Sequence, residues 1–151
     1  MFFLMLLSFP LVLSAQEGER KAPVTTLSVL SATALAQEAE AHFLNGEENV
    51  AARLYEEVLS VDANHLQANI FLANYYYLLA EREKSNLESD YHKLRKPTRR
   101  QRAQYHDSLS GIVSSHYHKA KVYLQRVLQL YPSTGAEQTI EKIGTLEANL
   151  R

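Results

Sequence analysis

Cysteine is absent from all 151 residues. That absence excludes disulfide cross-links, thiolate zinc sites and a lipid-bearing cysteine behind an export signal. A domain made from this chain must hold together by packing alone. An excess of either charge is also missing. There are 16 cations against 17 acids, a net of −1, so the molecule as a whole does not draw polyanions towards it. No phosphate-binding glycine loop, nucleophile elbow or HExxH helix occurs. No apolar run reaches the roughly 20 residues that cross a bilayer.

The longest such run opens the chain, "MFFLMLLSFPLVLSAQ". It suits the apolar core of a secretory signal, with Ser14 and Ala15 as small residues before a cut at Ala15/Gln16. It departs from that pattern in having no leading Lys or Arg, and in placing the large Leu13 three residues before the cut. The expectation is a signal over 1–15 and export to the periplasm or envelope of a bacterium; retention by an uncleaved N-terminal anchor is the alternative. Residues 16–31, with Gly18, Pro23 and scattered charge, read as a flexible lead-in.

From Ser31 onward the pattern is helical. Leu35, Ala39, His42 and Phe43 recur at three- and four-residue steps, and so do Val50, Ala51, Leu54, Tyr55, Val58 and Leu59 after Gly46. Strand-like alternation between hairpin turns is nowhere present, so the fold class is all-α. Asn64-x-x-Gln67, Thr98-x-x-Gln101 and Thr134-x-x-Glu137 each place a capping oxygen three residues before a side chain able to reach back. The pattern predicts helices near 32–45, 48–60, 65–95, 98–131 and 135–150.

The helices repeat. Ala39 and Ala73 stand 34 residues apart, whereas Ala51 and Ala120, in the matching "Ala-x3-aromatic/Leu-x2-Val-Leu" settings, stand 69 apart. The difference places an insertion of 35 residues, about 81–115, inside the second unit. Its apolar residues continue the helical stripes: Ala80, Leu87, Tyr91 and Leu94 outgoing, Ala103, Leu109, Val113 and Tyr117 returning. Pro97 disfavours helical angles at the residue before it. The insertion therefore reads as a projecting hairpin that turns at Lys96–Thr98.

These residues resemble the tetratricopeptide repeat. The first unit, 32–65, offers Ala39, His42, Ala51 and Tyr55, with Ala63 where the family usually has proline. The second, 66–133, offers Ala73, Tyr76, Ala120, Leu124 and Pro132; Leu35 and Asn69 stand where tryptophan is usual. The resemblance covers roughly 32–80 and 116–150 of the 32–151 domain, with 135–150 as a capping helix. It implies that Ala73 faces Val127 across the hairpin. Since 24 residues separate Ala73 from Pro97 and 30 separate Pro97 from Val127, the return arm carries a surplus. The glycine-ended "HDSLSG" at 106–111 is the expected break that absorbs it.

Function follows from the same reading. The resemblance implies a non-catalytic adaptor or scaffold that binds a peptide or protein on an inner face formed by Glu40, Phe43, Ile70, Asn74 and Tyr77. It does not extend to the family's clamp for a peptide carboxylate, because only Asn74 matches and Glu40 opposes it. A second candidate is the basic tip: Lys93, Arg95, Lys96, Arg99, Arg100 and Arg102, with no acid among them. It offers a solvated hairpin end or a contact with anionic lipid headgroups, lipopolysaccharide or an acidic partner. Nucleic acid is disfavoured by the neutral remainder of the chain. The open repeat ends would admit a second copy of the chain as a partner. No cofactor or metal is expected: His116 and His118 lie two apart on a helix, about 200° around it, and cannot share an ion.

Overall fold

The computed structural model describes the backbone of residues 24–150 and side chains from Ser31 onward. The 1–15 signal and the first half of the lead-in, 16–23, lie outside the described residues. Within them the chain is entirely helical: α1 (Val24–Leu44), α2 (Glu48–Val61), α3 (Leu66–His92), α4 (Arg99–Ile112), a π-helical turn (Val113–Tyr117), α5 (His118–Leu130) and α6 (Thr134–Asn149). Helix α1 pairs with α2, α2 leans on α3, α3 packs along α5, and α6 closes against α5.

The ends of these helices have local causes. Gly46 adopts φ +80°, the left-handed angle that suits a residue without Cβ. Gly46 N donates to Phe43 O and Glu47 N to His42 O, both at 2.9 Å, which satisfies the last carbonyls of α1. Thr98 and Gln101 form the reciprocal cap that the sequence predicts for α4. Two other caps fall one residue from the expected place. His65, not Asn64, caps α3, its Nδ1 accepting from Ala68 N; Asn64 lies in the preceding turn, where its backbone N–H donates to Asp62 Oδ1 at 3.0 Å. Ser133, not Thr134, caps α6 through Ala136 N.

Three further expectations are corrected. Helix α1 begins at Val24 rather than near residue 32, since neither proline nor glycine interrupts the chain from there to Asn45. The reversal comes early: α3 stops at His92, and the turn spans 93–98 rather than 96–98. The 106–111 stretch is unbroken helix. The irregularity lies just beyond it, in the π turn, where Ser114 and Ser115 hydroxyls both donate to Gly111 O at 3.1 and 2.8 Å. A π turn stores extra length without breaking the helix, and side-chain bonds to a preceding carbonyl favour such a widening.

The small positions of the two units are buried alike: Ala39 0%, Ala73 1%, Ala51 0% and Ala120 0% exposed. Small residues let helix axes approach to the short end of the ~8–10 Å range. Ala120→Leu should therefore overpack the α3–α5 contact and cost about 1–3 kcal/mol, measurable by urea unfolding. Ala34→Leu, on the exposed side of α1, is the control and should be near neutral.

Candidate functional site

The 3.6-residue period gives α3 two apolar stripes. Ala68, Leu72, Ala73, Tyr76 and Ala80 face inward and are buried. Ile70, Phe71, Asn74, Tyr75, Leu78, Leu79 and Arg82 face a groove of about 380 Å³ whose other walls are Glu40 and Phe43 of α1 with Glu48, Asn49 and Tyr55 of α2. That volume lies in the range of ligand-binding clefts. Its floor is a run of rings. Phe43 meets Phe71 edge-on at 5.2 Å, Tyr55 packs on Phe71 at 4.5 Å, and Phe71 stacks with Tyr75 at 6.2 Å.

The polar ends of these rings are held. Tyr75 Oη donates to Asn49 Oδ1 at 2.7 Å, and Gln67 Nε2 donates to Tyr55 Oη at 3.2 Å. Burial, and then the nearby Glu40 carboxylate, push the Tyr55 phenol above its ordinary pKa, against the Gln67 hydrogen bond. Tyr55 thus stays a neutral phenol at physiological pH. Above it the groove is open: Phe43, Ile70 and Leu78 are 45%, 43% and 60% exposed. Exposed apolar side chains gathered in one concave place mark a surface that something covers.

Four of the five inner-face residues expected from sequence, Glu40, Phe43, Ile70 and Asn74, line this groove together. Tyr77 does not. Its ring packs edge-on against Tyr117 at 5.8 Å and its hydroxyl accepts from Lys142 Nζ of α6 at 2.6 Å. Phe71, Tyr75 and Leu78 take its place; the stripe 67, 70, 71, 74, 75, 78 and 82 was the signal that could have found them.

Behind the groove a polar cluster ties α6 and the π turn to α3. Tyr117, 1% exposed, donates to Glu81 Oε1 at 2.7 Å, and Lys142 Nζ donates to the same oxygen at 3.2 Å. Burial raises the pKa of the Glu81 carboxyl, but hydrogen bonds from Tyr117 and Tyr77 and the Lys142 ammonium outweigh it and hold Glu81 below the usual range. Burial, then the bond to Glu81, push Tyr117 well above an ordinary phenol. Tyr76 Oη likewise donates to Glu56 at 2.7 Å beneath Lys119, whose ammonium sits 4.5 Å from the ring centre. These clusters fix helices; none of them opens into the groove.

The basic tip is where the sequence places it, beyond the core. All six cations are exposed. Lys93 pairs with Asp90 at 2.7 Å and Arg102 donates to Pro97 O at 2.8 Å. The stalk below it is stiffened by Tyr91 and Tyr105, stacked at 4.3 Å.

Comparison with known proteins gives a likeness to a solved structure. No family model matches the chain, and no curated protein does. A solved structure from Bacteroides ovatus ATCC 8483, described provisionally as a protein binding protein, is similar at 45% sequence identity with a TM-score of 0.75. The match covers 80% of this chain and 58% of that one, so the present chain spans little more than half of that neighbour's length.

Proposed function

We propose that this chain is a non-catalytic adaptor of the tetratricopeptide-repeat type, exported to a bacterial envelope, that holds an extended peptide segment of a protein partner in the α1–α2–α3 groove. The open aromatic groove is the observation that carries the reading. Matched burial of Ala39 with Ala73 and of Ala51 with Ala120 supports the repeat, and the provisional description of the Bacteroides neighbour supports a protein partner. From Gln67 to Arg82 the groove follows α3 for about 22 Å at 1.5 Å per residue. That length accommodates about seven residues of extended chain. Asn74, exposed midway along it, offers both a donor and an acceptor to a peptide backbone.

Selection of peptides from a random library on the wild-type protein, with counter-selection on Ile70→Asp, tests this. Enriched peptides should carry apolar or aromatic residues at alternate positions and bind Ile70→Asp at least about tenfold more weakly, since a carboxylate would be desolvated against the ring floor. Ile70 is already 43% exposed, so the melting midpoint should hardly move. Peptides that bind both proteins equally would contradict the proposal.

A further inference from the structure

We infer that the tip of the α3–α4 arm is a second binding site, independent of the groove, and that it docks on an anionic phospholipid surface. Four of its cations, Arg95, Lys96, Arg99 and Arg100, have no hydrogen-bond or ion-pair partner among the described residues. Ordinary surface cations of a neutral protein are diluted by acids; these are not. Taking the six away from the net charge of −1 leaves −7 for the rest of the chain, so the molecule is an acidic body with a cationic point.

The placement runs against local helix electrostatics. The first turn of α4 holds Arg99, Arg100 and Arg102 and no acid, although the positive end of a helix favours Asp or Glu there. A rule broken locally without compensation inside the fold points to a use outside it. At about 100° per residue Arg99 and Arg102 share a face and Arg100 stands about 100° from Arg99, so the three fan over roughly 160° of the helix. The tip's cations lie within ten residues, 93–102, fewer than the roughly 20–30 that a standard protein interface uses on each side. A field of phosphates satisfies all of them at once, and guanidinium groups pair with phosphate oxygens two at a time. Leu94, 37% exposed within the turn, adds an apolar point that can enter the headgroup layer.

The arm gives the site its reach. Helix α3 continues eight residues beyond Lys84, which still faces α6. That extension of about 12 Å exceeds the ~8 Å screening length at physiological salt, so the acidic body stands clear of the anionic surface. A nucleic-acid duplex fits less well, because a grip on it needs cations spread along the backbone rather than ending in one turn.

Sedimentation of the full chain with phosphatidylcholine vesicles, with and without phosphatidylglycerol, decides the matter. Neutral vesicles register any binding by the apolar residues at 1–15, so the readout is the difference between the two lipids. The anionic vesicles should be preferred, with the preference lost at high salt. Removing single cations in Arg95→Ser or Arg100→Ser should weaken binding about fivefold each. Replacing all six by serine should abolish the preference, while changing the four arginines to lysine should keep most of it. Should the six-serine protein misfold, the single variants carry the test. Equal binding to both lipids, an unchanged preference in the serine variants, or displacement from vesicles by duplex DNA or inorganic phosphate at constant, low ionic strength would overturn the inference.

Discussion

Asn69→Asp should unfold the protein at neutral pH and spare much of it in acid. Asn69 is 2% exposed, and its Nδ2 donates to Ala63 O at 3.1 Å and His65 O at 2.9 Å. Both carbonyls belong to the α2–α3 connection, so one side-chain amide fixes where the second helical pair begins. Aspartate has nearly the same shape but, when ionised, only acceptors, and would aim them at two carbonyl oxygens. An uncompensated buried charge of this kind costs about 3–5 kcal/mol. The carboxyl escapes by staying protonated, so its folded pKa lies above the unfolded value near ~3.9. Stability of the variant is then greatest below that value and falls by about 1.4 kcal/mol per pH unit as pH rises towards the folded pKa. Urea titrations of both proteins from pH 4 to 8 should show the gap widening with pH. A constant gap would mean that Asn69 acts through shape alone.

Tyr117→Ala should be the most damaging truncation, at about 3–5 kcal/mol for loss of a buried aromatic ring. Tyr117 is the largest buried side chain of the π turn and touches Tyr77 of α3. Its removal opens a cavity where three elements meet and strips Glu81 of a donor. Tyr117→Phe separates the two effects. The ring remains, and the missing hydroxyl should cost about 1.5–3 kcal/mol, the worth of a hydrogen bond to a charged group. Because Glu81 sits below its ordinary pKa, the stability it contributes is present above the unfolded carboxylate pKa and is lost as pH falls through the folded one. The gap between wild type and Tyr117→Phe should therefore shrink on acidification, as in the Asn69→Asp series, but here because the wild type loses stability rather than because the variant regains it. Chemical denaturation across pH 3–7 measures both trends.

Periodicity and capping residues were enough to read the all-α class, the hairpin at Gly46, the projecting arm and the Thr98 cap, because each depends on neighbours in sequence. What escaped depends on distant ones. Of the three successive tyrosines at 75–77, the repeat pattern places Tyr76 at a buried position, as found, but puts Tyr77 rather than Tyr75 on the groove side. Tyr75 is turned to the groove by Asn49 of α2, Tyr76 is held between Glu56 and Lys119, and Tyr77 is claimed by Lys142, 65 residues away on α6. The placing of Tyr77 depends on the position of α6, and that position is a packing result. The break expected at 106–111 failed for a related reason. Glycine-poor continuity was not needed for a helix tied on one side by Leu109 and Val113, both buried, and the serines after Gly111 offered a cheaper place to widen.

Amide chemical-shift mapping with a peptide selected on the wild-type protein addresses the binding surface itself. Shifts should gather at Glu40, Phe43, Ile70, Asn74 and Leu78, leaving Val122 and Leu130 on α5 unmoved. A perturbation centred on α5 or α6, with the α1–α3 groove silent, would place recognition elsewhere and leave the ring-floored cleft without a role.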